Sequence, residues 1–174
     1  MIKYFYYFII SLFLVLLQQG VLANLSFFSN LNLLLVVLVF ITIVSGFNLG
    51  FIFAVFIGIF VYFFSFLPFG TFIIIYLIIL VLIDFLYKQV LINFSFYTSL
   101  ILIVLATILY NLLIALFSYF YFWAGIISLN INLDKIFLFN SLWQAVSNAF
   151  LMAVIFIIAK ITIKKLNLMF LFKK

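Results

Sequence analysis

The chain alternates between long apolar runs and short polar links, a pattern typical of a membrane protein built from several helices. Six runs are rich in Phe, Ile, Leu and Val, and their hydrophobicity is continuous. Strands of a membrane barrel would alternate apolar and polar residues, whereas a run of about 20 apolar residues crosses the hydrocarbon core as a helix. The predicted spans, with approximate ends, are 4–23, 31–47, 49–67, 70–87, 97–123 and 141–163.

The ends of these runs complete the predicted architecture. Run 4–23 has the length of a span and is followed at once by further spans, which favours a retained first helix over a signal peptide. Gln18 and Gln19, near its far end, are expected at the membrane interface. Run 97–123 is long enough that its helix must tilt or end early, and 124–140 is predicted to be the longest polar loop. Residues 1–174 are therefore predicted to form one all-α membrane domain, a bundle of six transmembrane helices.

The lysines predict how the bundle is oriented. The chain carries a net charge of +6, and all eight of its basic residues are lysines. If the N-terminus is cytoplasmic, six spans leave only Lys135 on the outer side, as the positive-inside rule requires. Lys88, Lys160, Lys164 and Lys165 are then cytoplasmic anchors, and both termini are cytoplasmic. The excess of positive charge is thus explained by orientation in the membrane and does not indicate nucleic-acid binding.

Small residues recur at intervals of four along the third run. Gly46, Gly50, Ala54 and Gly58 stand among large phenylalanines, and residues four apart share one face of a helix. Gly46 and Gly50 straddle the expected start of the helix, so Gly50, Ala54 and Gly58 form the more secure part of the stripe. Small residues let helix backbones approach closely inside a bilayer. The stripe is predicted to pack against another helix of the bundle or to seat a partner helix.

A turn is predicted directly after this stripe. Pro68 is the only proline in the chain, and Ser65 and Gly70 flank it. Proline lacks an N–H group and disfavours a helical conformation in the residue before it. These three residues therefore predict the turn between the third and fourth spans.

Polar side chains inside the last two runs are expected to face other helices. Thr107 and Asn111 are four residues apart in the fifth run, and Gln144, Ser147 and Asn148 share a face of the sixth. Because lipid offers no hydrogen-bond partner, such side chains usually bond across helices. The alternative is a small-molecule or ion pathway. It is disfavoured because proton and cation pathways usually contain an acidic residue within the membrane.

The composition excludes several classes of chemistry. The chain has no cysteine, histidine, glutamate or arginine, and its only acidic residues are Asp84 and Asp134. Thiol and imidazole chemistry are therefore excluded, and there is neither a nucleophile beside a base nor a phosphate-binding glycine loop. Asp84 precedes Lys88 by four residues, the spacing of an ion pair on one helix. The residues predict a protein without catalytic activity, cofactor or metal.

In several ordered segments the chain resembles MreD, the family of rod-shape-determining proteins of the bacterial inner membrane. NLNLLLVVLVFITIVSG, 30–46, is similar to the family's second span, and Gly50, Ala54 and Gly58 follow as in its third. Ser65, Pro68 and Gly70 match its serine, proline and glycine turn. LWQAVSNAFLMAVIFIIAKI, 142–161, resembles its last span, with a central asparagine and a basic tail. Tyr62 departs from the aspartate that the family often has.

The resemblance covers roughly residues 30–165 and implies a function. A protein of this family would be a scaffold of the rod complex, or elongasome, which directs side-wall peptidoglycan synthesis and maintains cell shape. It would bind the single-span protein MreC in the cytoplasmic membrane of a bacterium. Through MreC it would be linked to MreB filaments, to RodA and to a class B penicillin-binding protein. No cofactor is implied.

Two other classes of protein fit parts of the pattern. The substrate-capture (S) component of an energy-coupling-factor transporter also has six helices, but it carries an alanine-x-x-x-alanine patch on the first span, where this chain has only Ala23. A hydrophobic subunit of an organellar respiratory chain fits the composition but would be expected to contain acidic residues within the membrane.

Overall fold

The structure is a computed structural model that describes residues 2–25, 28–89, 95–128 and 134–171, without the side chains of 2–4 and 163–171. These residues form α-helices and connecting turns, and no strand is present among them. A π-helical turn and a short 3-10 turn, Leu17–Val21 and Leu22–Asn24, follow the first helix. The α-helices are α1 Ile2–Leu16, α2 Leu33–Ser45, α3 Phe47–Tyr62, α4 Thr71–Gln89, α5 Phe96–Trp123 and α6 Lys135–Leu171.

Four of the described helical segments are long and apolar enough to cross a membrane, which makes this a multi-pass membrane protein. They are Phe5–Asn24, Thr71–Gln89, Phe96–Trp123 and Lys135–Thr162. Helices α2 and α3 are shorter than predicted, because α2 begins inside the bundle and the chain turns directly after Tyr62. At 1.5 Å per residue they are about 20 and 24 Å long, below the roughly 30 Å of a hydrocarbon core.

The chain reverses at Gly46 between α2 and α3. Gly46 has a φ of +84°, a conformation that favours glycine, and its N–H donates to the carbonyl of Thr42. A Cβ atom on Gly50 would lie 2.7 Å from the hydroxyl of Thr42, although these residues are eight positions apart. The two helices are therefore folded against each other. Gly46 lies in the turn and not in the small-residue stripe, because a Cβ on it would meet nothing within 4 Å.

Two of the remaining stripe residues, Gly50 and Gly58, pack against α4. Gly50, Ala54 and Gly58 are all buried. A Cβ on Gly58 would lie 2.6 Å from the Cα atom of Ile73, and one on Gly50 would lie 2.5 Å from a methyl group of Leu80. The small-residue stripe thus packs against a helix of the same chain, which is the first of the two predicted alternatives.

The connection between α3 and α4 is the predicted tight turn. The hydroxyl of Ser65 accepts a hydrogen bond from the N–H of Leu67 at 3.0 Å. The carbonyl of Pro68 accepts one from the hydroxyl of Thr71 at 2.8 Å, and Gly70 has a φ of +90°. Tyr62 packs its ring edge-on against Phe69 across this turn, with the ring centroids 5.1 Å apart.

Consecutive helices from α2 to α6 run in opposite directions. The hydroxyl of Thr71, at the start of α4, lies 3.0 Å from that of Tyr121, near the end of α5, and accepts its hydrogen bond because its own proton is donated to Pro68. Phe96, at the start of α5, packs against Phe156, near the end of the apolar part of α6. The core of the bundle lies between α2, α3, α4 and α5. Its largest fully buried side chains include Tyr76, Phe53, Leu34, Leu35, Leu38, Ile57, Ile75 and Ile79.

Helix α5 agrees with the predicted run 97–123 to within one residue, whereas α6 begins earlier and ends later than the predicted 141–163. Helix α5 is continuous, so the fifth run does not end early. The predicted loop 124–140 is shorter than expected because α6 begins at Lys135. Asp134 caps this helix, and its carboxylate accepts from the N–H of Phe137 at 2.8 Å. Residues 129–133 of that loop lie outside the described residues.

The charged side chains that the structure describes lie near helix ends or on the surface. The ammonium group of Lys88 donates to the carboxylate of Asp84 at 2.7 Å, the predicted pair at a spacing of four. Lys160 is exposed. The side chains of Lys164 and Lys165, the other predicted anchors, lie outside the described residues.

The contact between α3 and α4 predicts that a large side chain at Gly58 is not tolerated. We expect Gly58→Leu to destabilise the protein by at least about 1–3 kcal/mol, because the new side chain overlaps the backbone at Ile73. Gly20→Leu is a matched control, since a Cβ on Gly20 would meet nothing within 4 Å. Thermal unfolding in mild detergent measures both variants, and equal stabilities would show that the contact is not required.

Candidate functional site

Helix α2 begins inside the bundle, and its first residues are surrounded by other helices. Asn32, the residue that caps it, is only 4% exposed, and Leu34 and Leu35 are buried behind it. The first four N–H groups of a helix have no partner within the helix, and lipid provides no water to satisfy them. The start of α2 therefore requires hydrogen-bond acceptors from elsewhere in the chain.

Side chains from three parts of the chain supply these acceptors. The carbonyl oxygen of the Asn148 side chain, from α6, accepts from the N–H of Asn32 at 2.8 Å. Gln18, from the π-helical turn after α1, accepts from the N–H of Leu33 at 2.7 Å. The side chain of Asn32 itself accepts from the N–H of Leu35 at 3.1 Å. We refer to Gln18, Asn32, Thr107 and Asn148 as the amide cluster.

The donor groups of these amides are used as well. The NH₂ group of Asn148 donates to the hydroxyl of Thr107 at 3.0 Å, and that hydroxyl donates to the carbonyl of Ile103 within α5 at 2.8 Å. The NH₂ group of Gln18 donates to the carbonyl of Leu31 at 2.7 Å. Each of these two side chains thus makes one bond as a donor and one as an acceptor. Together they link α2 to the end of α1 and to α5 and α6.

The amide cluster lies beside the middle of α5 and of the apolar part of α6, Lys135–Thr162. Asn148 follows Lys135 by 13 residues and precedes Lys160 by 12. At 1.5 Å per residue these separations are about 20 and 18 Å along α6. Thr107 is likewise near the middle of α5. A hydrogen bond at this position competes little with water, so leaving one of these groups without a partner would be costly.

A second pair of amides joins α5 to α6 about one turn away. The NH₂ group of Asn111 donates to the side-chain carbonyl of Gln144 at 2.8 Å, and both residues are half-buried. In the interior, the rings of Tyr76 and Tyr110 stack with their centroids 5.8 Å apart, and the side chain of Tyr110 lies next to that of Asn32. Polar contacts therefore continue from the amide cluster toward α4.

The structure brings together four of the five polar residues predicted to face other helices. Thr107 bonds to Asn148, and Asn111 bonds to Gln144. Ser147 does not join the buried contacts. It is half-buried and lines a notch on the surface of α6.

Sequence reasoning missed two members of the amide cluster. Gln18 was expected at the membrane interface, and it instead reaches the start of α2. Asn32 was not singled out, although an asparagine directly before an apolar run is a common signal for the start of a helix. Nothing in the sequence indicated that this start lies inside the bundle, because that depends on α6 supplying Asn148.

The amide cluster is better suited to structural support than to catalysis. Its members are amides and a hydroxyl, which neither carry charge nor exchange protons near neutral pH. Among the residues that the structure describes, no group of three metal-ligating side chains is present. The hydrogen bonds instead fix the relative positions of α2, α5 and α6 and of the end of α1.

Comparisons of the chain with protein-family models, with curated proteins and with solved structures give no match.

The cluster predicts that Asn148 matters more for stability than Asn111. Asn148→Leu removes the acceptor for a buried main-chain N–H, and leaving such a group unpaired costs about 1–3 kcal/mol. Asn111→Leu removes one side-chain bond between helices, which is worth about 0.6 kcal/mol on average in membranes. Unfolding free energies of the two variants, measured in the same detergent, test this order. An Asn111 variant at least as unstable as the Asn148 variant would contradict it.

Proposed function

We propose that this chain is a non-enzymatic scaffold of the MreD type, which binds MreC in the cytoplasmic membrane of a bacterium and supports side-wall peptidoglycan synthesis. The observation that carries the proposal is the amide cluster. The polar side chains at the centre of the bundle bond to one another and to main-chain groups. They act as fixed links between helices, as expected of a protein that presents a rigid surface to its partners.

The sequence resemblance is the second support for this proposal. Two of the motifs that carry it correspond to structural features: the small residues pack α3 against α4, and Ser65, Pro68 and Gly70 form the turn that follows. The central asparagine of the last span is Asn148, whose side chain accepts from the N–H of Asn32 at the start of α2. These motifs therefore have structural roles in this fold, and residues that bind a partner are to be sought on the outer faces of the helices.

We further propose six spans with both termini in the cytoplasm. Helices α2 and α3 are short, but the alternating directions of α2 to α6 are those of consecutive spans. In this arrangement the segment that leads to Asn32 completes the crossing of α2, which begins inside the bundle, and the turn after Tyr62 completes that of α3. The lysine distribution then sets the orientation.

Reporter fusions test this topology. We expect a reporter fused after Lys174 to be active in the cytoplasm and one inserted between Ile127 and Asp134 to be active on the outer side, because Lys135 is the only lysine assigned to that side. A second cytoplasmic reporter, placed after Gln89, controls for insertion artefacts. An outer location of the C-terminal reporter would contradict the six-span arrangement.

The partner is tested by gentle purification from the host. We expect the tagged chain, extracted in mild detergent, to bring down MreC, and we expect cells depleted of the chain to become round. An unrelated tagged multi-span protein from the same membrane is the control for nonspecific recovery. If an ATP-hydrolysing transporter module is recovered in place of MreC, the chain is a substrate-capture component and the scaffold proposal is wrong.

A further inference from the structure

A notch opens on the surface of α6 beside the chain segment that leads into α2. Its volume is about 290 Å³, and its lining is almost entirely apolar: Phe28, Leu31, Trp143, Val146, Ser147 and Phe150. Leu31 and Ser147 directly precede Asn32 and Asn148 of the amide cluster. The notch exists because α2 begins beside the middle of α6, so that the connecting segment, and not a helix, covers this part of α6.

The notch faces the bilayer and not water. Its four α6 residues lie between Lys135 and Lys160, within the apolar stretch of that helix. Val146 and Phe150 on its rim are 61% and 72% exposed, so the opening points away from the bundle. At this level the surroundings of a multi-pass protein are hydrocarbon chains.

The size of the notch restricts what can enter. A helix with its side chains is about 10–12 Å across, and a stable protein contact buries about 800 Å² on each partner. Six lining residues around 290 Å³ provide neither the width nor the area. A single hydrocarbon chain is thin and flexible enough to enter sideways from the bilayer. Among the described lining residues, the hydroxyl of Ser147 and the indole N–H of Trp143 are the only side-chain polar groups, so the lining would not oppose it.

We infer that the notch holds an acyl chain of a membrane phospholipid, as a preferred lipid position on the protein. A filled notch would complete the packing around the start of α2, because interiors lose dispersion energy wherever a void is left. This inference concerns lipid and is independent of whether MreC is the protein partner.

Tryptophan fluorescence tests the inference, because the chain has only two tryptophans. In a Trp123→Phe background, Trp143 is the single reporter, and it lines the notch. The protein is reconstituted in phosphatidylcholine vesicles whose acyl chains carry bromine, which quenches tryptophan on contact. We expect strong quenching. In this background Ser147→Phe fills the notch and should lower the quenched fraction by about twofold, because close-packed side chains exclude the lipid chain.

Two further variants make the outcome decisive. Ile157→Phe adds an aromatic ring to the same helix, at an exposed position ten residues beyond Ser147, and should leave quenching unchanged. Phe150→Ala widens the notch and should increase quenching. If quenching is the same in all variants, lipid contacts Trp143 only at its exposed surface and the inference is wrong. Weak quenching that rises as the protein is diluted in lipid would show that a second copy covers the notch, which also overturns it.

Discussion

The fold depends on one constraint, which is that a helix beginning inside an apolar bundle must have partners for its first N–H groups. Helices of membrane proteins usually begin where water or headgroups can meet this demand. Helix α2 begins beside the middle of α5 and α6, and acceptors from Gln18 and Asn148 meet it there. Those two side chains come from positions 130 residues apart in the sequence, so α2 can be completed only when both ends of the chain have assembled around it.

This requirement gives the bundle specificity that apolar packing alone would lack. Between lipid-exposed helices there is little hydrophobic driving force, because hydrocarbon tails are as apolar as leucine side chains. The structure uses two other forces in different places. At the contact of α3 with α4, glycines allow the backbones to approach, and dispersion acts over many atoms. At the start of α2, directional hydrogen bonds select one arrangement of α5 and α6. If α6 were shifted by one turn along α5, the amide of Asn148 would lose its hydrogen-bond partners. Such a shift would therefore cost free energy.

The sequence is informative about local features and much less so about the relation between distant segments. The apolar runs, the turn at Pro68 and the pair of Asp84 with Lys88 follow from short-range patterns, and each is present in the structure. The small-residue stripe was located correctly from Gly50 to Gly58, whereas Gly46 is part of a turn. Helix lengths were predicted less well. Residues 31–47 were predicted as one span, whereas Asn32 caps α2 and Gly46 ends it. That α2 starts in the interior also depends on Asn148, which lies 116 residues further along the chain and accepts from the N–H of Asn32.

The same constraint explains why the surface of α6 is uneven. If α2 extended the full length of α6, its outer turns would cover the face that carries Trp143 and Val146. Because α2 starts at Asn32, that face meets only the segment around Phe28 and Leu31, and a notch remains. The hydrogen bonds that place the start of α2 in the interior therefore also shape the surface that the bundle presents to lipid. Among the described residues, Asn148 and Ser147 show this connection most directly, since Asn148 accepts from the N–H of Asn32 and Ser147, its neighbour in the sequence, lines the notch.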